Sequence, residues 1–135
     1  MDAFVSQFDH PVPLYAFCSV LIIVALKHYV ADFVLQTHWI ARGKELRAGW
    51  QAPLAVHALS HAALTLAIAL AIAPRLWWLA GVDFVIHGAI DRCKSLTSLW
   101  GGWQATQSPF WWLMGFDQFL HQVTNIAFAA ALFVL

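Results

Sequence analysis

The sequence predicts an all-α integral membrane protein, a four-transmembrane-helix bundle with an intramembrane His/Asp cluster. The first observation is composition: the 135 residues are 61% hydrophobic and 10% charged, with a mean hydropathy of +0.69, whereas a soluble domain carries roughly 25% charged residues. The second is that four apolar stretches are long enough to span a hydrocarbon core of about 30 Å. The third is that each stretch carries polar residues at four-residue spacing. We expect one membrane domain over residues 1–135.

The four helices are predicted over residues 13–39, 53–73, 76–99 and 109–134. Pro13, Pro53 and Pro109 stand where a first-turn proline is tolerated, and Pro74 closes the second helix. Tryptophans fall near the helix ends, where indole rings settle among lipid head groups. The short connections favour packing between consecutive helices, so we expect one antiparallel bundle.

Polar side chains recur at every fourth residue along one face of each predicted helix, because four residues advance an α-helix by little more than one turn. Ionisable groups inside hydrocarbon normally face protein or water and mark a functional site. In chain order, the four faces carry His28, Asp32 and Gln36; His57, His61 and Thr65; Asp83, His87, Asp91 and Lys94; and Asp117, His121 and Asn125. These faces lie late in the first and third helices and early in the second and fourth. In an antiparallel bundle they therefore meet at one depth.

The combination of imidazole and carboxylate favours metal binding, because two such ligands one helical turn apart can reach the same ion. We predict one or two divalent ions, zinc first, with manganese or iron as alternatives. The predicted metal ligands are His28, Asp32, His57, His61, Asp83, His87, Asp91, Asp117 and His121. The alternative is a metal-free network in which the same groups share protons and hydrogen bonds and fix the register of the helices.

Net charge is zero, which gives no indication of a nucleic-acid partner.

The placement of basic residues predicts the topology. Arg42, Lys44 and Arg47 lie in the first loop, Arg92 and Lys94 lie just before the third, and the second turn has one arginine. The positive-inside rule therefore places both termini outside and the polar faces in the cytoplasmic half of the bundle.

Four motifs carry a resemblance to a known family: HYVADFVLQ, the histidine pair of the second helix, DFVIHGAIDRCK and FDQFLHQ. Together they resemble a family of small bacterial inner-membrane proteins, domain of unknown function 3307. The resemblance implies a multi-pass protein of the bacterial inner (cytoplasmic) membrane, where the orientation given by the basic residues would put both termini in the periplasm. The signature positions it implies are His28, Asp32, Gln36, His57, Asp83, His87, Asp91, Lys94, Asp117, Gln118 and His121.

A looser resemblance rests on the HxxxD pairs His28/Asp32 and His87/Asp91. In this form they are similar to pairs in inner-membrane proteins regarded as metal-dependent hydrolases, and in phospholipase C and P1-type nucleases. This second resemblance implies zinc chemistry on a lipid or lipid-linked phosphoester.

The favoured function is a metal-dependent hydrolase whose site opens to the cytoplasmic leaflet. A bound dication activates water and polarises a substrate. Asp91 or Asp117 is predicted to act as general base, and Lys94 to neutralise developing negative charge. Expected partners are membrane lipid and a lipid-linked substrate, with no nucleic acid, and the oligomeric state stays open. Two alternatives remain: a proton or metal-ion conduit, and a non-catalytic membrane protein with a structural polar network.

Overall fold

The computed structural model describes residues 12–134, and over that range the chain is helical with no β-strand. The helices are α1 (Leu14–Tyr29), α2 (His38–Gly43), α3 (Gln51–Ile72), α4 (Leu79–Gly101) and α5 (Ser108–Val134). A π-helical segment, Val30–Val34, continues α1, and a 3₁₀ turn, Pro74–Leu76, follows α3. The predicted all-α class is confirmed.

The first predicted helix, residues 13–39, is wrong at its C-terminal end. α1 passes into the π-helical segment, where the amide of Leu35 donates a hydrogen bond to the carbonyl of Val30 at 2.9 Å. Thr37 then adopts an extended backbone, and its hydroxyl accepts a hydrogen bond from the Ile40 amide at the start of α2. Threonine is favoured at such an N-cap, so it begins a new helix instead of continuing the old one. α3, α4 and α5 begin and end within a few residues of the predicted bounds.

Two helical segments of the described range are long and apolar enough to cross a membrane, Leu14–Val34 and Gln51–Ile72, each with a mean hydropathy of 1.8. α4 and α5 are of similar length but carry more polar side chains, including Asp83, Asp91 and Lys94 on α4. By length and composition, the structure therefore supports a helical fold with two candidate spans. The predicted four-transmembrane-helix bundle goes further than this finding.

The helices pack into a bundle in which α3 and α4 make the most extensive contact, while α5 lies against α1 and α4, and α2 packs on α3. One end of the bundle is filled by buried apolar side chains: Val20, Val24, Ala69, Ala73, Leu76, Leu79, Phe128, Ala129 and Leu132. These residues come from the middle of α1, the end of α3 and the turn that follows it, the start of α4 and the last part of α5. Successive long helices therefore run in opposite directions, as expected.

At the other end of the bundle, polar side chains lie inside and apolar side chains lie outside, the reverse of the usual distribution in a soluble protein. Buried polar side chains project inward from all four long helices: Lys27, His28, His57, His61, Thr65, Asp83, His87, Asp91, Ser95, Asp117, His121 and Asn125. The outer surface instead exposes large apolar side chains on every long helix, such as Ile22, Leu59, Val85 and Phe119. The interior at this end is therefore more polar than the surface that surrounds it.

Candidate metal centre

Five histidines and three aspartates meet inside the polar end of the bundle. They are His28 from α1, Asp32 from the π-helical segment, His57 and His61 from α3, His87 and Asp91 from α4, and Asp117 and His121 from α5. We call this set the His/Asp cluster. Each of these helices contributes two residues one turn apart, with the α1 pair completed by the π-helical segment, a distortion that recurs at functional sites.

Asp32 is the carboxylate on which three histidines converge. Its Oδ1 atom lies 2.9 Å from Nε2 of His61 and 3.3 Å from Nε2 of His57. Its Oδ2 atom lies 3.1 Å from Nε2 of His28. Among the residues that the structure describes, Nε2 of His28 is buried and no hydrogen bond is assigned to it. This buried nitrogen beside a carboxylate is a position from which imidazole could bind a metal.

Asp91 occupies the opposite side of the cluster. Its Oδ2 atom lies 3.3 Å from Nε2 of His57, and its Oδ1 atom lies 3.4 Å from Nε2 of His121. Nε2 of His121 is also 3.6 Å from Oδ1 of Asp117. His57 therefore stands between the carboxylates of Asp32 and Asp91, and the whole cluster is continuous.

The imidazoles crowd one another, with their Nε2 atoms turned inward. Nε2 of His57 and Nε2 of His87 are 3.2 Å apart. The ring of His87 stacks on that of His61 at a centroid distance of 3.5 Å and on that of His121 at 4.2 Å. If such closely stacked rings were all protonated, they would repel one another in a medium that screens charge poorly. Neutral rings avoid this repulsion, and the neutral imidazole is the form that binds metal.

The donor set fits a divalent metal. Three overlapping groups bring their ligand atoms within 4.8 Å of one another: Asp32, His57, His61 and His87; His28, His87 and His121; and Asp91, Asp117 and His121. In a tetrahedral site with bonds of roughly 2 Å, neighbouring ligand atoms lie about 3.3 Å apart. The distances from His57 Nε2 to Asp32 Oδ1 and to His87 Nε2, 3.3 and 3.2 Å, match this spacing. The buried His/Asp cluster could therefore hold a metal ion with little rearrangement.

Asp83 departs from the predicted ligand set. Its Oδ2 atom accepts hydrogen bonds from Nζ of Lys27 at 2.6 Å and from the hydroxyl of Thr65 at 2.5 Å, and it belongs to none of the three groups. Asp83 shares a helical face with His87 and Asp91 but lies one turn deeper, beside the apolar end. Asp83 thus lies in a buried ion pair one turn away from the cluster, in which the other eight predicted ligands come together.

A cavity of about 220 Å³ borders the His/Asp cluster on its carboxylate side, and we call it the polar cavity. The histidines stand behind the carboxylates that form part of its wall. Its lining residues are Asp32, Phe33, Gln36, Ala41, Lys44, Glu45, Asp91, Lys94, Met114, Asp117 and Gln118. All three residues predicted to be catalytic, Asp91, Lys94 and Asp117, are among them.

Two lysines face this cavity, Lys94, which was predicted to lie at the site, and Lys44, which was not. Nζ of Lys94 donates to Oε1 of Glu45 at 2.7 Å, and Nζ of Lys44 donates to Oδ2 of Asp91 at 2.7 Å. From the sequence, Lys44 contributes only to the prediction of topology. It follows a short helix, so its spacing from other polar residues does not relate it to the inward faces of the long helices. Its position in a loop with Arg42 and Arg47 gives no indication that its side chain is buried.

The match of the chain to known proteins agrees with one of the two resemblances. The model of the family described as "Protein of unknown function (DUF3307)" matches residues 20–135. No curated protein and no solved structure matches the chain. The looser likeness to hydrolases and nucleases has no counterpart among these findings. Since the match covers most of its length, the chain belongs to the DUF3307 family.

Proposed function

We propose that this protein is a membrane-embedded, metal-dependent hydrolase that binds one or two divalent ions, with zinc as the first candidate. The observation that carries the proposal is the convergence of inward-facing imidazole Nε2 atoms and carboxylates at ligand spacing in the His/Asp cluster. Borderline imidazole ligands combined with carboxylates suit zinc, and also manganese or iron. The family assignment itself supplies no activity.

The two ends of the cluster suggest different roles for two ions. Asp32, His57, His61 and His87 offer four ligands, which would complete a tetrahedral site. Asp91, Asp117 and His121 offer three, and both carboxylates line the polar cavity. Structural zinc sites are filled by four protein ligands, whereas catalytic sites have three and keep a position open. The second group is therefore our candidate for the reactive site.

The chemistry follows from the residues around the polar cavity. A bound dication would supply a water of lowered pKa and polarise the bond to be cleaved. A carboxylate oxygen of Asp117 or Asp91 that is not itself bound to the metal would accept the proton of that water. Lys94 lies on the same wall and would stabilise negative charge that develops on the substrate. Each predicted catalytic residue thus has a position from which it can act.

The proposal that all four long helices lie in the bacterial inner membrane is supported by the inverted polarity of the bundle. Soluble monomers rarely expose contiguous apolar patches larger than a few hundred Å², and here every long helix exposes large apolar side chains. With both termini in the periplasm, the polar cavity opens toward the cytoplasmic leaflet. The basic first loop supports this orientation.

A conduit for protons or metal ions would need a polar path through the bundle. The buried pair Lys27–Asp83 extends the polar interior by one turn beyond the His/Asp cluster. Beyond it, the packed layer that includes Val24, Leu79 and Phe128 closes the interior. A cavity open on one side and closed by apolar packing on the other is typical of a binding site, so we favour the hydrolase.

Elemental analysis of the purified protein tests the proposal first. Protein extracted gently from its native membrane should carry about one or two zinc, manganese or iron ions per chain, and a chelator should remove both the metal and the cleavage of an aryl phosphate ester. Protein that is folded but metal-free, and that takes up no metal on titration, would favour the metal-free polar network. Full occupancy without any hydrolysis would retain the metal centre and reject the enzyme.

Cysteine accessibility tests the orientation. In a variant with both native cysteines replaced by serine, Ala48→Cys in the first loop should be protected from a membrane-impermeant maleimide added to intact cells. Trp77→Cys in the second turn should be labelled. Both positions are exposed in the structure, whereas a side chain at Gly43 would collide with Pro53. The opposite labelling pattern would place the polar cavity in the outer leaflet.

A further inference from the structure

The polar cavity has an apolar neighbour that shares its wall. Between α4 and α5 lies a groove of about 90 Å³ lined by Ile90, Cys93, Lys94, Thr97, Leu113, Phe116, Asp117 and Leu120. Lys94 and Asp117 line both spaces. On one side of these two residues lie carboxylates, lysines and amides, and on the other side lie mainly aliphatic and aromatic groups. We call the second space the α4–α5 groove.

The formal charge of the polar cavity depends on its metal content. Its lining includes four carboxylates, Asp32, Glu45, Asp91 and Asp117, but only the two ammonium groups of Lys44 and Lys94. Without metal, the carboxylates outnumber the ammonium groups by two, so the cavity favours cations. Two dications would reverse the balance and leave two positive charges in excess. The loaded cavity would then attract an anion, and most strongly a dianion.

Lys94 is placed to contact such an anion. Its only ion-pair partner closer than 4 Å in the described chain is Glu45, whose side chain is 47% exposed. An exposed carboxylate can turn out into solvent at little energetic expense, since exposed ion pairs contribute only about 0–1 kcal/mol. Lys94 would then be free to donate charge-assisted hydrogen bonds to a ligand. Gln118, whose amide donates to Asp117 at 3.2 Å, adds a second polar group on the same wall.

We propose that the occupant of these two spaces is an amphiphilic lipid with a phosphate-type head group. The head group lies in the metal-loaded polar cavity against Lys94, and the first part of an acyl chain lies in the α4–α5 groove. This inference rests on the proposed function, for which it specifies the class of substrate. The shared wall at Lys94 and Asp117 places the head group beside the open metal position.

The dimensions and surroundings of the two spaces agree with this occupant. A cavity of about 220 Å³ is smaller than the roughly 300–1,000 Å³ of pockets that enclose whole drug-sized ligands, so it suits a small head group. The groove opens at the surface, where Cys93 and Phe116 are exposed. In a membrane that surface faces acyl chains, so a lipid could enter sideways without leaving the bilayer.

The test compares a soluble short-chain phosphatidic acid with inorganic phosphate as probes. Binding of each probe to the detergent-solubilised full chain is measured by calorimetry, with and without zinc, and the zinc content is measured for every sample. For the zinc-loaded protein we expect the phosphatidic acid to bind at least about tenfold tighter than phosphate, because each methylene removed from water adds to affinity. Metal-free protein should bind neither probe.

Two pairs of variants separate the head-group site from the chain site. Lys94→Gln should weaken binding of both probes about tenfold, since a charge-assisted contact is lost. Its control is Arg47→Gln, which removes an exposed cation in the first loop, outside the cavity, and should weaken neither. Cys93→Trp should fill the α4–α5 groove and weaken only the phosphatidic acid. Cys18→Trp introduces the same ring at another exposed cysteine and should have no effect. All four variants should keep wild-type zinc content.

The outcomes distinguish this inference from the proposed function. If zinc-loaded protein binds neither probe, the anionic head group is wrong while the metal centre stands. If both probes bind equally and Cys93→Trp is silent, the α4–α5 groove does not receive a chain and the lipid proposal is refuted. Equal binding to metal-free protein would refute the charge argument. If the protein takes up no zinc, manganese or iron, the proposed function itself fails.

Discussion

Replacing Asp83 by asparagine should destabilise the protein without removing metal. Asp83 and Lys27 are 2% and 5% exposed, and their charged atoms lie 2.6 Å apart. Asp83→Asn keeps the shape of the side chain but leaves the ammonium group of Lys27 buried without an opposite charge. Breaking a buried ion pair from one side costs about 3–5 kcal/mol of the free energy of unfolding. The bound metal should not change, because Asp83 lies outside the three ligand groups.

The size of the effect can be divided among the contacts that Asp83 makes. The Thr65 hydroxyl also donates to Oδ2 of Asp83, so Thr65→Val should cost about 1 kcal/mol, the usual worth of one hydrogen bond. The double variant Lys27→Met/Asp83→Leu replaces both charges with apolar groups. It should recover most of the loss, because a buried ion pair is often no more stable than well-packed apolar side chains of similar volume.

Reversible unfolding in mixed detergent micelles, combined with elemental analysis, measures both quantities. Glu45→Gln is the control for charge removal, since the side chain of Glu45 is 47% exposed and its pair with Lys94 should contribute at most about 1 kcal/mol. A stable Asp83→Asn variant that has lost metal would reverse our reasoning, because Asp83 would then be a ligand. A loss of stability that the double variant does not recover would also contradict it.

Three further predictions concern the His/Asp cluster. His87 belongs to two of the three ligand groups, so His87→Ala should weaken metal binding at least about tenfold in a metal titration. His38 lies at the exposed start of α2, so His38→Ala should leave the affinity unchanged. Asp117→Asn should lower the rate of phosphoester cleavage by at least about 10²-fold, as expected for loss of a general base or an open-site ligand, and wild-type rates would exclude both roles. The affinity for metal should fall as the pH is lowered, because protons compete for the ligand nitrogen of imidazole. An affinity that does not change with pH in the same titration would show that histidines are not the main ligands.

Helical periodicity alone was sufficient to predict which residues share the interior of the bundle. His28, His57, His87 and His121 lie on four different helices, yet each has another polar residue four positions away, an aspartate for three of them and His61 for His57, and this spacing indicated the face that each helix turns inward. The alternating order of these faces along the chain gave their depth. Because both quantities follow from regular α-helical geometry, most of the cluster could be predicted without knowledge of tertiary contacts.

The features that were missed depend on geometry that periodicity does not describe. Helical spacing indicates which side chains point into the bundle but not which of them contact one another. Asp83 was therefore grouped with His87, although Lys27 from another helix pairs with it. The π-helical segment and the cap at Thr37 divide what looked like one long helix. Lys44 follows a helix too short to show a pattern. Each of these features depends on a contact between separate segments or on a local break in the α-helix, neither of which regular spacing describes.

The balance of buried charge gives the strongest reason to expect a cation in the cluster. Lys27 neutralises Asp83 and Lys44 neutralises Asp91, but Asp32 and Asp117 have no lysine or arginine within 4 Å among the residues that the structure describes. Two carboxylates therefore depend on imidazole alone, and an isolated buried carboxylate is very unfavourable. Protonated imidazoles are the other possible source of positive charge, but the ring of His87 stacks on those of His61 and His121, which disfavours charge on both rings of either stacked pair. One dication supplies the two missing charges and leaves the rings neutral, which is the state in which imidazole binds metal.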